Sequence, residues 1–203
     1  RVHTIYNGYD EDDFMRLSST LESSPIVTYV GTLSDQYPIR GFIQGVIKAK
    51  EAYPDLKCRF IGSIAPENAE LLQKLPSDSI EILPYMDHSK AITYLAGSHI
   101  LLLIIPDHES NQGILTGKLF EYLAVKRPIL LLGPEGGDAE TIVNHTKSGG
   151  SFSYNDADGI SEFIKHQLAD DSKSDPGRSF LNLEQYTRKS LAKDVAEVLN
   201  KTM

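Results

Sequence analysis

Residues Ile100 to Leu132 read ILLLIIPDHESNQGILTGKLFEYLAVKRPILLL, and the fold is decided there. Two apolar runs, Ile100 to Ile105 and Pro128 to Leu132, are too short to span a membrane. They are also too continuous for strands with one face in water, and so predict neighbouring strands of a parallel sheet buried on both faces. Between them lie a polar loop holding Gly113 and a short helix from about Gly117 to Ala124, which makes one strand, loop, helix, strand unit. Leu119, Phe120, Leu123 and Ala124 form the helix side expected to bury against the sheet, and Lys118, Glu121 and Tyr122 the other side. In open parallel sheets ligands sit beyond the carboxyl ends of the strands, so the loop Pro106 to Thr116 and the helix start at Gly117 are the expected site. A helix N-terminus presents unpaired N–H groups and a partial positive charge; with Lys118 beside them, that suits a phosphate. The competing reading is a surface Lys/Glu pair three residues apart, with glycines that only make turns.

Upstream, the same alternation repeats. Val2 to Tyr6 reads as a short edge strand, Asn7-Gly8 as a turn, and Asp10 as the cap of a brief helix. After a polar, Ser-rich connection from Ser18 to Ser24, Ile26 to Val30 is a strand ending in Gly31. A helix from about Ile39 to Ala52 follows, with apolar residues at helical spacing. The loop between them holds Gly31, the hydroxyl of Thr32 and the cation of Arg40 near the helix start, where a second phosphate contact is possible. Leu56 to Ile61 with its tip Gly62-Ser63, a helix from about Pro66 to Leu75, a strand Ile80 to Leu83 and a helix from about Ser89 to Ala96 complete the first half. Tyr85 and Met86, at the end of that third strand, offer a flat apolar surface for a base or plain packing.

Downstream come a glycine-rich loop, a helix from about Gly137 to His145, a sixth strand from Gly149 to Ser153 and a helix from Ala157 to Ala169. Arg178 to Lys201 reads as one or two amphipathic helices with Phe180, Leu183, Tyr186, Leu191, Val195 and Leu199 inward. Six strands alternating with helices predict an α/β, Rossmann-like doubly wound parallel sheet.

Composition narrows the function. The chain has 203 residues, 40% hydrophobic and 24% charged, enough for one large domain. Its net charge of −8 and the absence of any Lys/Arg run argue against a nucleic-acid partner. The single cysteine, Cys58, lies in a strand and permits no disulfide framework, which fits a reducing cytosol. The six histidines do not fall at metal-ligand spacing, and Asp107-His108-Glu109 puts neighbours on opposite sides of an extended loop. No serine sits in a GxSxG elbow, and neither a GxGxxG nor a P-loop occurs. The chain lacks an initiator Met and starts at RVHTIYNGYD, which reads as a piece of a longer protein.

In order, the chain carries NGYDEDDF, YVGTL followed by RG, RFIGS, LPYMDHSKAITYLAGSHILLLI and GILTGKLFEYLAVKRPIL. Together these resemble the C-terminal, donor-binding half of GT-B glycosyltransferases of the group 1, family 4-like type, the most specific part being KLFEYLAVKRPIL. The resemblance implies that residues 1–24 are hinge strand and linker, that residues 25–203 are the nucleotide-sugar domain with C-terminal helices, and that the acceptor half is absent. It implies that Glu121 accepts from the ribose hydroxyls, that Lys118 binds the diphosphate, and that Gly113, Ile114, Leu115, Thr116 and Gly117 form the loop whose N–H groups touch sugar and phosphates. Tyr85 and Met86 would frame the base, with Gly62 and Ser63 at the neighbouring tip. Two positions depart from the family: Gly113 stands where a glutamate often contacts the donor sugar, and Thr32 stands where an arginine is usual, leaving Arg40 as the second cation.

The function this implies is sugar transfer from a nucleoside diphosphate to a glycan, lipid-linked or other acceptor in glycan or polysaccharide biosynthesis, without a metal or other cofactor. Acceptor and any membrane association would lie with the missing half of an otherwise cytoplasmic protein. A non-catalytic nucleotide-binding module and a GT-B nucleotide-sugar epimerase remain as alternatives. A receiver domain is disfavoured, because the first strand tip is Val30-Gly31 rather than an acidic pocket. The last helix, about Thr187 to Lys201, is expected to leave an apolar strip exposed.

Overall fold

A computed structural model describes residues 2–15, 17, 20–169 and 180–202. Six strands, β1 (Ile26–Val30), β2 (Lys57–Ile61), β3 (Ile80–Leu83), β4 (Ile100–Ile104), β5 (Ile129–Leu132) and β6 (Gly149–Phe152), form one parallel sheet in the order β3-β2-β1-β4-β5-β6. The helices are α1 (Arg40–Lys50), α2 (Pro66–Leu72), α3 (His88–Gly97), α4 (Gly117–Val125), α5 (Asp138–Thr146), α6 (Ala157–Ala169) and α7 (Arg188–Thr202). The strand order reverses between β1 and β4, which defines the switch point of the sheet.

Period-two alternation explains why the central strands read as unbroken apolar runs. Leu102, Ile104, Leu130 and Leu132 enter one core, beneath Phe42 of α1 and Ile160 of α6. Leu101, Leu103, Ile129 and Leu131 enter the other, with Leu119 and Leu123 of α4 and Ile142 of α5. Both faces are covered, so no polar alternation survives. On the first face α1 approaches the α6 side closely because two of its positions lack a Cβ. A methyl at Gly41 would lie 2.2 Å from the Tyr154 carbonyl oxygen, and one at Gly45 would lie 2.6 Å from Ile160.

β1 pairs with β2 through all five residues but with β4 only at Val27 and Thr28, so β1 and β4 part toward their carboxyl ends. The Val30 N–H, denied a strand partner there, donates instead to the Tyr122 hydroxyl at 3.3 Å. That bond corrects the sequence reading of α4: Tyr122 is fully buried, not on the outward side. Burial also drives its phenol pKa well above the ordinary value.

The edge strand expected at Val2 to Tyr6 does not form. Val2 is 97% exposed, while Tyr6 stacks obliquely on Phe120 and Tyr186, away from either sheet edge. Beyond it, Tyr9 donates to and accepts from the Tyr186–Arg188 backbone at 3.0 and 2.8 Å, tying the N-terminal segment to the C-terminal one over α4. Gly8, at φ +66°, allows this approach, since a side chain there would strike Leu191 and the Tyr186 carbonyl. The short helix capped by Asp10 is present as a single 3-10 turn, Glu11–Asp13. In α7 Leu191 is buried as read, whereas Val195 and Leu199, read as inward, are 42% and 58% exposed, leaving the apolar strip expected of this helix in solvent. Residues 170–179 lie outside the described residues, and so does the start of the segment read as helical from Arg178.

Candidate functional site

The parting of β1 and β4 opens the sheet at its switch point, and α4 starts there. Thr116 is the N-cap of α4 in extended conformation, yet its hydroxyl makes no capping bond and is buried with no partner. The first-turn N–H groups at Gly117 and Lys118 have no partner within the helix. α5, which follows the next strand, shows the ordinary solution. Asp138 and Glu140 occupy its first turn, and Glu140 accepts from the Gly136 N–H at 2.6 Å. α4 has no acid in its first turn and carries Lys118 instead, and α1 likewise begins on Arg40 with no acid. A cation against the positive end of a helix dipole costs on the order of 0.3 to 1 kcal/mol unless an anion offsets it.

Lys118 does not pair with Glu121. Its chain crosses the tip of β1 directly over Gly31, where φ is +124° and a Cβ would lie 2.9 Å from Nζ. Having passed that gap, Nζ donates to the Tyr29 hydroxyl at 2.8 Å and lies 4.4 Å from the Tyr29 ring centre and 5.6 Å from that of Tyr37. The Tyr29 hydroxyl in turn donates to the Thr32 carbonyl at 2.8 Å. Burial pushes the Lys118 ammonium down to about 8, with the Glu121 charge opposing the shift only in part. The cation is thus held over the strand tip by neutral phenols.

Glu121, one turn further along α4, turns toward α3 and meets His88 Nε2 at 3.2 Å. Among the described residues no ion pair joins Lys118 to Glu121, so the reading of these two as a surface pair fails.

The other residues singled out in the sequence divide by location. Gly62, at φ +126°, packs under Gly31, where a Cβ would come within 2.5 Å of the Gly31 carbonyl oxygen. Ser63 is exposed beside it, and its carbonyl accepts from the Leu33 N–H at 2.8 Å. Tyr85 is 85% exposed and Met86 half-buried at the tip of β3. Ile114 and Leu115 pack their side chains on the α4 core. Gly113 and Gly117 differ from Gly31 and Gly62: neither has positive φ, and a Cβ at either would meet nothing within 4 Å. No packing among the described residues demands these two glycines, which leaves open space in front of the loop backbone. Arg40 is not brought to Lys118. It lies at the start of α1 on a depression shared with Asp35, Glu67, Glu70 and Lys74.

Several residues of the region went unseen in the sequence. Asn111, 8% exposed, donates to the Pro106 carbonyl and to the Tyr154 hydroxyl, both at 3.0 Å, and so fixes the loop after β4. Tyr29, Tyr37 and His88 reach the site over long sequence separations, and only their tertiary placement marks them.

A parallel sheet of this order, open at its switch point and flanked by these helices, is the fold of the C-terminal domain of GT-B glycosyltransferases. TarM of S. aureus, in a complex with Fondaparinux, alpha-GlcNAc-glycerol and UDP, matches 98% of this chain and 39% of its own length, with TM-score 0.74 and 14% identity. HepE of Anabaena, in complex with UDP-glucose, matches 97% of this chain and 57% of its own, at 0.71 and 13%. The C-terminal domain of the group 1 glycosyl transferase LpcC from Francisella tularensis matches 93% of this chain and 98% of its own, at 0.63 and 17%. The chain therefore spans about two fifths to three fifths of the first two proteins and nearly all of the third. No family model matches the sequence, and no curated protein does.

Proposed function

We propose that the chain binds a nucleoside-diphosphate sugar at the parting of β1 and β4 and acts as the donor half of a glycosyltransferase. The observation that carries this reading is the separation of Lys118 from Glu121. On one turn of α4, the cation turns to the strand tip and the carboxylate turns to α3. Two parts of one nucleotide fit that split, diphosphate at Lys118 and ribose at Glu121, with the base beyond on Tyr85 and Met86. The unpartnered Thr116 hydroxyl, the free first-turn N–H groups and the open Gly113 and Gly117 support a phosphate approaching the backbone.

In transfer, negative charge grows on the departing diphosphate. Lys118 and the α4 N-terminus would meet that charge where it develops, lowering the barrier as well as binding the donor, with no metal required. Arg40 would serve as a second cation only if its side chain swings from the α2 side toward Gly31. An acceptor, of glycan, lipid-linked or other kind, and the base that activates it would come from a second half. TarM, caught with UDP, and HepE, caught with UDP-glucose, are longer proteins of which this chain matches 39% and 57%, and their bound nucleotides support the donor class.

Calorimetric titration of the chain with UDP, GDP and ADP tests the reading. One of them is expected to bind, with no transfer to any acceptor by the chain alone. Absence of binding by all three removes the proposal.

A further inference from the structure

His88 is the first residue of α3 and follows Met86 by two positions, so it stands between the tip of β3 and the second turn of α4. Its Nε2 lies 3.2 Å from Glu121 Oε1, across 33 residues of sequence. Both side chains are partly in water, 52% and 34% exposed, so the contact adds little to stability. It fixes, however, the one acid of α4 that its near neighbour on the helix, Lys118, leaves unheld. Asp87, the N-cap of α3, makes no side-chain cap bond, so the turn carrying His88 is not fixed that way.

We propose that His88 is a positioning residue of this site. By donating from Nε2 to one carboxylate oxygen, it holds Glu121 so that the second oxygen faces the ligand's vicinal hydroxyls. Ribose recognition then depends on α3, which contributes no ligand contact of its own through His88. This inference rests on the assignment of Glu121 to the ribose.

The test is calorimetric titration of the parent, His88→Ala, His88→Gln, Glu121→Ala and the double variant. The probes are UDP, GDP and ADP and their 2′,3′-dideoxy counterparts. His88→Ala is expected to weaken the ribonucleotide roughly 3- to 10-fold and leave the dideoxy form unchanged. His88→Gln, which keeps a donor, should restore affinity to about the parent value. The double variant should bind no worse than Glu121→Ala, as expected when one residue acts through the other. Parent-like binding by His88→Ala, equal losses for ribo and dideoxy forms, or losses that add to those of Glu121→Ala overturn the role of His88. Parent-like binding by Glu121→Ala overturns the ribose assignment as well, so the two failures are distinct.

Discussion

Arg59 and Lys118 are two cations drawn into the protein and surrounded in opposite ways. Arg59, in β2, is 5% exposed; its Nε donates to Glu81 at 2.6 Å and its Nη2 to Glu22 at 2.9 Å, with Tyr94 beneath the guanidinium at 4.7 Å. Among the described residues Lys118 has no carboxylate in contact, and its Nζ meets the Tyr29 hydroxyl and two aromatic rings. A cation with a structural task is neutralised by the fold itself. One that is desolvated and set at a helix N-terminus, with the Glu121 charge opposing its burial only in part, fits the anion site proposed above.

The largest effect should come from breaking the neutralised side, even though one Arg59 nitrogen, Nη1, is buried without a partner. Arg59→Ala strands Glu22 and Glu81, whose side chains are 42% and 38% exposed and so recover part of their hydration. A loss of about 2 to 3 kcal/mol is expected, below the usual figure for a wholly buried pair. Urea denaturation should show it, with melting lowered by roughly 5 to 10 °C and nucleotide affinity per folded molecule unchanged. Lost affinity with intact stability would undo the contrast.

On the other side the signs exchange. Lys118→Met should leave stability level or higher, because it removes a desolvated charge that Glu121 offsets only in part. It should weaken nucleoside diphosphates by on the order of 1 to 3 kcal/mol, less at high salt, and leave free nucleosides alone. Glu121→Ala should weaken nucleoside and diphosphate alike by a similar amount, at a stability change of a few tenths of a kcal/mol. Titrating both variants with a nucleoside and its diphosphate separates cation from carboxylate; parent-like affinity in both would remove the site.

How much of this was legible follows from range. β4, β5 and the start of α4 were readable because buried parallel strands leave unbroken apolar runs and the helix follows within one loop. Tyr122 was misread because a nine-residue helix packed by the sheet on one side and by Tyr6 and Tyr186 on the other has more than one inward stripe. Its hydroxyl is claimed by Val30, 92 residues away. Val2 to Tyr6 has strand-forming residues but pairs with no strand among the described residues, and propensity without a partner makes no strand. Lys118 and Glu121 were readable as candidates. Which way each turns depends on Tyr29 and His88, at separations of 89 and 33 residues, and periodicity carries no such information.

A pH series sharpens the contrast by its sign. Lys118 has a folded pKa of about 8 against an ordinary value of 10.5, so the unfolded chain holds more protons between those limits. The Lys118 contribution to stability should therefore rise with pH from about 8 toward 10.5 and be read as the difference between the parent and Lys118→Met, since buried Cys58, its thiol pushed up to about 12, slopes the other way in both. A bound diphosphate favours the ammonium, so in the parent its affinity should fall about tenfold from pH 7 to pH 9, while nucleoside affinity stays level. A diphosphate affinity flat across that range would mean that Lys118 does not meet the phosphate.

The smallest effect concerns Thr116, whose buried hydroxyl at the start of α4 has no partner and gives the helix no cap. Threonine at an N-cap ordinarily contributes about 1 kcal/mol through the bond that is missing here. Thr116→Val keeps the shape and removes only the hydroxyl. If that oxygen were an idle defect, stability would rise slightly and ligands would bind as before. If it is held for a phosphate oxygen reaching the α4 N-terminus, diphosphate affinity should drop by about 0.5 to 1.5 kcal/mol, with nucleoside affinity unchanged. Thermal melting and calorimetry on the one variant tell these apart. Unchanged diphosphate binding would confine the anion site to Lys118 and the backbone N–H groups.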